Sequence, residues 1–146
     1  MRDYIIMTDS CCDLSQQEVE ELELTVLPLS FTIEGKTLLN TPDHADMSPE
    51  EFFAKIAAGA DCTTAAVNVG QFTDAMEKVL QEGKDILCVC FSSALSTTYQ
   101  SACIAAEDLR EKYPEAKILV IDSLSASRGL GMLLYRAVRE LSLIHI

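Results

Sequence analysis

Short hydroxyl side chains and carboxylates recur at the ends of apolar runs in this 146-residue sequence. Thr8-Asp9-Ser10 follows the run Tyr4 to Met7. Ser92-Ser93 and Ser96 follow Asp85 to Phe91. Asp122-Ser123, with Ser127 nearby, follows Lys117 to Ile121. Thr63 and Thr64 stand instead ahead of a helical stretch. Unpaired N–H groups and a partial positive charge make a helix N-terminus a neutral trap for a carboxylate or phosphate, and small hydroxyls add donors. Thr64, ahead of the helix that begins near Gly70, and Ser96, ahead of the one that carries Tyr99, are placed for this. The same residues also serve as ordinary helix caps. Four polar loops on one sheet edge favour at least one ligand contact.

Catalytic sets are sparse. A Ser-His-Asp triad would need His44, in a polar connector, or His145, next to the end. Asp9 invites comparison with a phosphoaspartyl nucleophile, but position 11 is Cys where such enzymes need a second acid. Neither a P-loop nor a dinucleotide fingerprint is present. Gly129-Leu130-Gly131 is the nearest glycine motif, and its glycines are expected to allow close packing. Asp9, Asp13 and Asp122 form only a loose metal set, so no metal and no cofactor is expected. Six cysteines, at 11, 12, 62, 88, 90 and 103, invite a disulfide framework. A domain of this size does not need one, and Cys88 and Cys90 read as small buried hydrophobes on one face of a strand.

The elements that must carry these residues alternate. A first strand over Tyr4–Met7 leads to a helix capped by Asp13, with Gln16 three residues on, running to about Leu22. Thr25–Phe31 is strand-like but holds Pro28, which predicts an edge or a bulge. Ile33–Leu39 encloses a hairpin turn at Glu34-Gly35-Lys36. Ser48-Pro49-Glu50-Glu51 opens a second helix with a capping box closed by Glu51, and an apolar stripe of Phe52, Phe53, Ile56 and Ala57. Thr63–Val69 reads as a loop, and a third helix runs from Gly70 to Gly83. Asp85–Phe91 and Lys117–Ile121 read as buried strands, each followed by a helix. The last helix spans about Arg128 to Leu141. Repeated strand–loop–helix order predicts an α/β domain, three-layer-like, with a mainly parallel sheet. Ligands of such sheets sit beyond the carboxyl ends of the strands.

Net charge is −12, and all of it falls in residues 1–83, which hold 16 acidic and 4 basic groups. A phosphate backbone and an anionic lipid surface would both be repelled, so neither nucleic acid nor membrane is expected as a partner. The opening residues lack the apolar core of a signal peptide, and no run of 18 apolar residues occurs. A cytoplasmic location is expected.

Five segments together resemble the N-terminal domain of the DegV family of bacterial fatty-acid-binding proteins. They are Thr8-Asp9-Ser10-Cys11-Cys12-Asp13-Leu14, Val26-Leu27-Pro28-Leu29, Thr63-Thr64-Ala65-Ala66-Val67-Asn68, the stretch from Ser92 to Ala102, and Val120 to Ser123 with Ala126-Ser127-Arg128-Gly129-Leu130-Gly131. The resemblance implies one lobe of a two-lobed molecule that holds a long-chain fatty acid between its lobes. The carboxylate would meet Thr64 and Ser96, with Ser93 nearby and Asp9, Ser10, Asp122, Ser123 and Ser127 behind them. It further implies a binding protein that presents the fatty acid to a separate fatty-acid kinase and is not itself an enzyme. Ala65 stands where the family has Ser, and Thr97 where it has Gly; a β-branched residue at 97 disfavours a positive φ. Residues 1–146 then read as the N-terminal lobe, truncated, with the C-terminal lobe absent and its apolar contact surface open to self-association. Two other readings stand beside this one: a protein-interaction or regulatory fragment without its own ligand, and an enzyme of unrecognised type.

Overall fold

Continuous apolar runs flanked by polar loops can be buried on both faces only in the middle of a layered structure. The computed structural model, which describes residues 2–144, builds such a middle layer from four parallel strands. They are β1 (Tyr4–Asp9), β2 (Thr25–Leu27), β6 (Asp85–Cys90) and β7 (Ile118–Asp122), in the order β2-β1-β6-β7. Alternation along the strands sends Met7, Ile86, Cys88 and Cys90 to one face. There they meet Phe72, Met76 and Leu80 of α3 (Val69–Gln81) and Ala102, Ala105, Ala106 and Leu109 of α4 (Thr98–Lys112). The alanines let α4 lie close to the sheet. Ile6 and Val89 point to the other face, against Val19 of α1 (Gln16–Glu21) and Leu130 and Leu134 of α5 (Arg128–Ile144). The expected three-layer α/β domain with a parallel core is therefore present.

A second sheet was only half visible in the sequence. β3 (Leu29–Ile33) pairs antiparallel with β4 (Lys36–Asn40) across a two-residue turn, in which Glu34 and Gly35 both have positive φ. On its other side β3 pairs antiparallel with β5 (Cys62–Ala65), so the order is β4-β3-β5. The stretch 63–69 is thus not all loop. The four residues of β5 are too few to show a period, and what makes them a strand is their partner β3. Pro28 sits between β2, at the edge of the parallel sheet, and β3, where the chain passes from one sheet to the other. Ring packing of Phe31 on Phe52, edge to face at 5.4 Å, holds α2 (Pro49–Ala57) to this sheet, but none of the α2 residues is buried.

Three helix starts differ from expectation. Ser15, not Asp13, caps α1 in a reciprocal capping box with Glu18, and Asp13 takes a left-handed conformation with φ 49°. Ser48 caps α2 as expected, but Glu51 gives no return bond and lies 3.8 Å from Lys55 instead. Asn68 caps α3, which begins one residue earlier than Gly70, in a reciprocal box with Gln71. Met1, His145 and Ile146 lie outside the described residues.

Candidate functional site

In chain order the parallel sheet grows from β1 outward to β2, and later from β6 outward to β7. Its direction of growth therefore reverses between β1 and β6, where an open α/β sheet forms a crevice at the carboxyl ends of its strands. The ladder between these two strands ends at Met7–Cys88, whereas β1–β2 pairing continues to Asp9 and β6–β7 pairing to Cys90. The sheet splits at that point. The polar loops after β1, β6 and β7 leave from this edge, whereas Thr63 and Thr64, expected with them, lie on β5 of the other sheet.

Hydrogen bonds stitch the loops together. Asp9, with no exposed surface, accepts the Cys11 N–H at 3.0 Å and the Phe91 N–H at 2.8 Å. Burial pushes its carboxyl above the ordinary range, and those two N–H groups pull the other way. Ser10 Oγ accepts the Leu29 N–H at 3.0 Å and the Asn40 side-chain amide at 3.2 Å, joining the two sheets. The Ser127 N–H donates to Cys11 O at 2.9 Å, and Ser127 holds a positive φ of 52°. Asp122 accepts the Ser93 N–H at 3.1 Å and the Leu124 N–H at 3.0 Å. Hydrogen bonds from Ser93, then from Leu124, hold its carboxyl below the ordinary range. Ser123 Oγ closes a small turn with Ser125. These five residues build the framework of the edge.

Ser96 is different. Its Oγ accepts the Thr98 N–H at 3.2 Å and lies 2.9 Å from Thr98 Oγ1. A hydroxyl has one hydrogen and two lone pairs. Thr98 is fully buried, and its hydroxyl and that of Ser96 pair with each other, either serving as donor. The two hydroxyls share one hydrogen bond, so whichever of them donates, the other O–H is left over at the start of α4. The first-turn N–H groups of α4 that the helix cannot pair internally lie beside it. Thr97 adopts φ −80° and ψ 0°, so no left-handed residue is required here and its branched side chain carries no strain. Thr98 was not among the candidate residues; its only signal in the sequence is a hydroxyl two residues after Ser96 at a helix start.

Thr64 does not stand at a helix N-terminus. It lies on β5 opposite Phe31, exposed, four residues ahead of the α3 cap. Cross-strand partners share a face, so Thr64 is on the face that Phe31 turns toward α2. It connects to the edge through β3, two residues from Leu29 and its bond to Ser10. Ser93 is exposed, and its N–H and side chain are engaged by Asp122.

Other groupings fall away. Ser10 shares a cavity of about 310 Å³ with His44, but its hydroxyl is held by Leu29 and Asn40. Burial, then the charges of Asp9 and Asp13, push the Cys11 thiol up to about 12, the opposite of an activated nucleophile. Cys88 and Cys90 are buried on one face, with their sulfurs 3.5 Å apart. Asp9 and Asp122 spend oxygens on backbone N–H groups and do not converge with Asp13; among the described residues no group of three is placed to hold a metal.

The DegV family profile matches residues 4–142. The chain belongs to the DegV family. It is 37% identical over 139 residues to a DegV domain-containing protein of Clostridium perfringens, covering 95% of this chain and 47% of that protein. A DegV domain-containing protein of Lactococcus lactis is 39% identical over 136 residues, with 93% and 47% covered. This DegV chain thus spans about half the length of the curated relatives it matches. Among solved structures, a stearic-acid-binding protein of Eubacterium ventriosum superimposes with a TM-score of 0.85 at 28% identity, over 95% of this chain and 47% of that one. A DegV family protein of Thermus thermophilus, described by its fatty-acid binding, gives 0.84 at 31% identity over 97% and 48%.

Proposed function

We propose that this chain holds the carboxylate of a long-chain fatty acid at the split edge of its parallel sheet, with Ser96 as the principal donor and Thr64 and Ser93 contributing. The observation that carries this is the Ser96–Thr98 hydroxyl pair, which shares one hydrogen bond and so leaves one O–H without a partner among the described residues. The surroundings suit an amphiphile. Leu95 and Leu124, each next to a polar anchor of the edge, are 68% and 75% exposed, and Phe53 on α2 is 67% exposed. Hydrocarbon covering such side chains gains about 0.8 kcal/mol per buried CH₂. The two solved relatives named above bind fatty acids, which supports the same class of ligand here.

In this reading the protein binds without turnover and presents the acyl carboxylate at an open edge to a separate fatty-acid kinase. Its six cysteines, all free, fit the reducing cytosol. No helix among the described residues is long and apolar enough to cross a membrane. In the longer family members this chain corresponds to one lobe, and a second lobe would close over the acyl chain.

Native mass spectrometry of protein purified from cells tests the reading. Co-purified fatty acid is expected, and Ser96→Ala or Thr64→Ala should each weaken retention by roughly 1–3 kcal/mol, the cost of losing a hydrogen bond to a charged group. A bare chain, under conditions that load a full-length DegV protein, overturns it. Unchanged retention in both variants would move the head group elsewhere.

A further inference from the structure

We infer that Asp9 is a positioning residue for the head-group loop: its buried carboxylate spans the split between β1 and β6, one oxygen on the Cys11 N–H and the other on the Phe91 N–H, and so sets where residues 91–96 leave the sheet. This rests on the reading that the loop's hydroxyls receive the fatty-acid carboxylate.

The geometry argues for a carboxylate at this point. Past Met7–Cys88 the two strands no longer pair, so the Phe91 N–H has lost its ladder partner on β1. A side chain must replace it or leave it orphaned, and a buried orphan is costly. A carboxylate does this with one oxygen for each donor: Oδ1 holds the 3-10 turn over Ser10–Cys12 and Oδ2 satisfies Phe91. Asparagine offers one oxygen and would set an NH₂ against one of the two N–H groups. The titratable groups around Asp9 are Cys11, Cys12 and Asp13 on its own loop and Cys90 on β6, none of them a cation. Its charge is therefore met by backbone N–H groups and the Cys11 thiol, with no cation, which ties the carboxylate to loop geometry rather than to an ion pair. At the other end of the same loop, Asp122 holds the Ser93 N–H. The loop is thereby clamped at residues 91 and 93, just ahead of Ser96.

The test compares palmitate with hexadecanol, which share a chain and differ in the charged head. In Asp9→Asn, preference for palmitate over hexadecanol should fall about tenfold, the worth of one hydrogen bond to a charged group. Affinity for hexadecanol should stay close to that of the wild type. Equal weakening of both ligands would mean a merely structural role, and unchanged preference would mean no role; either result overturns the inference. Amide hydrogen exchange on the wild-type chain provides a second arm that needs no folded variant. Phe91 and Cys11, tied to one carboxylate, should show matching protection and open together. Protection at Phe91 far below that at Cys11 overturns the inference. A wild-type chain that retains no palmitate overturns the functional reading, while the exchange comparison still decides whether Asp9 holds the loop.

Discussion

The Ser10 hydroxyl accepts the Leu29 N–H at 3.0 Å, a contact between residues 19 apart that fastens the three-stranded sheet to the end of β1. The Asn40 amide reaches the same oxygen at 3.2 Å, so a single buried hydroxyl anchors both β3 and β4. Ser10→Ala removes it and leaves a backbone donor without a partner. A loss of about 1–3 kcal/mol is expected from urea unfolding curves. A change within experimental scatter would show that water replaces the hydroxyl.

Gly131 marks a close approach rather than a ligand site. A β-carbon there would come within 2.9 Å of Leu14 Cδ2 and 3.2 Å of Cys12 O, both on the segment that follows β1. Gly131→Ala must push α5 away from that segment, at a cost of about 1–3 kcal/mol. Thermal unfolding should register it. Gly129, whose nearest neighbour would be Ser125 Oγ at 3.2 Å, faces a side chain and should tolerate alanine better.

Acid stability should carry the signature of Glu18. The Ser15 N–H, the Ser15 hydroxyl and the Arg128 guanidinium hold its carboxyl down to about 2, from an ordinary 4.5. A lowered value in the folded chain means that the unfolded chain binds the proton first as pH falls. The stabilisation is therefore complete above pH 4.5 and drains away as the pH drops through about 2. Glu18→Gln should lower the urea midpoint at pH 7 and converge with the wild type near pH 2. A gap of constant size across that range would assign the effect to packing.

Leu119 and Ile121 are paired in register with Leu87 and Val89, so they lie on the α5 face of the sheet, yet α5 leaves them about half exposed. With Met132 and Tyr135 also exposed on α5, this side of the molecule offers apolar surface to a second copy or a second lobe. Sedimentation velocity of the chain should show mass rising with concentration, and Leu119→Ser with Ile121→Ser should reduce that rise. A monomer at every concentration, with no binding of a hydrophobic dye, would contradict it.

The sequence by itself determined the layered core and the place of the polar edge. Continuous apolar runs such as Asp85–Cys90 have few ways to be buried, and Phe72, Met76 and Leu80 recur at helical spacing; such patterns act locally and survive without knowledge of partners. Hydroxyls at the ends of those runs then had to gather at one side of a parallel sheet. Tertiary structure decided the remainder, wherever a residue's role depends on an atom far away in the chain. β5 is a strand because β3 runs beside it, which takes Thr64 from a helix start to a sheet face. Asp13 yielded the cap of α1 to Ser15, the residue that can pair with Glu18 while Glu18 also meets Arg128, 110 residues on. Asp9 became a buried brace because β1 and β6 part before their ends, and no local pattern records where two strands stop pairing. The pairing of the Ser96 hydroxyl depends in the same way on the buried Thr98 at the start of α4, a property of the packed helix and not of either residue type.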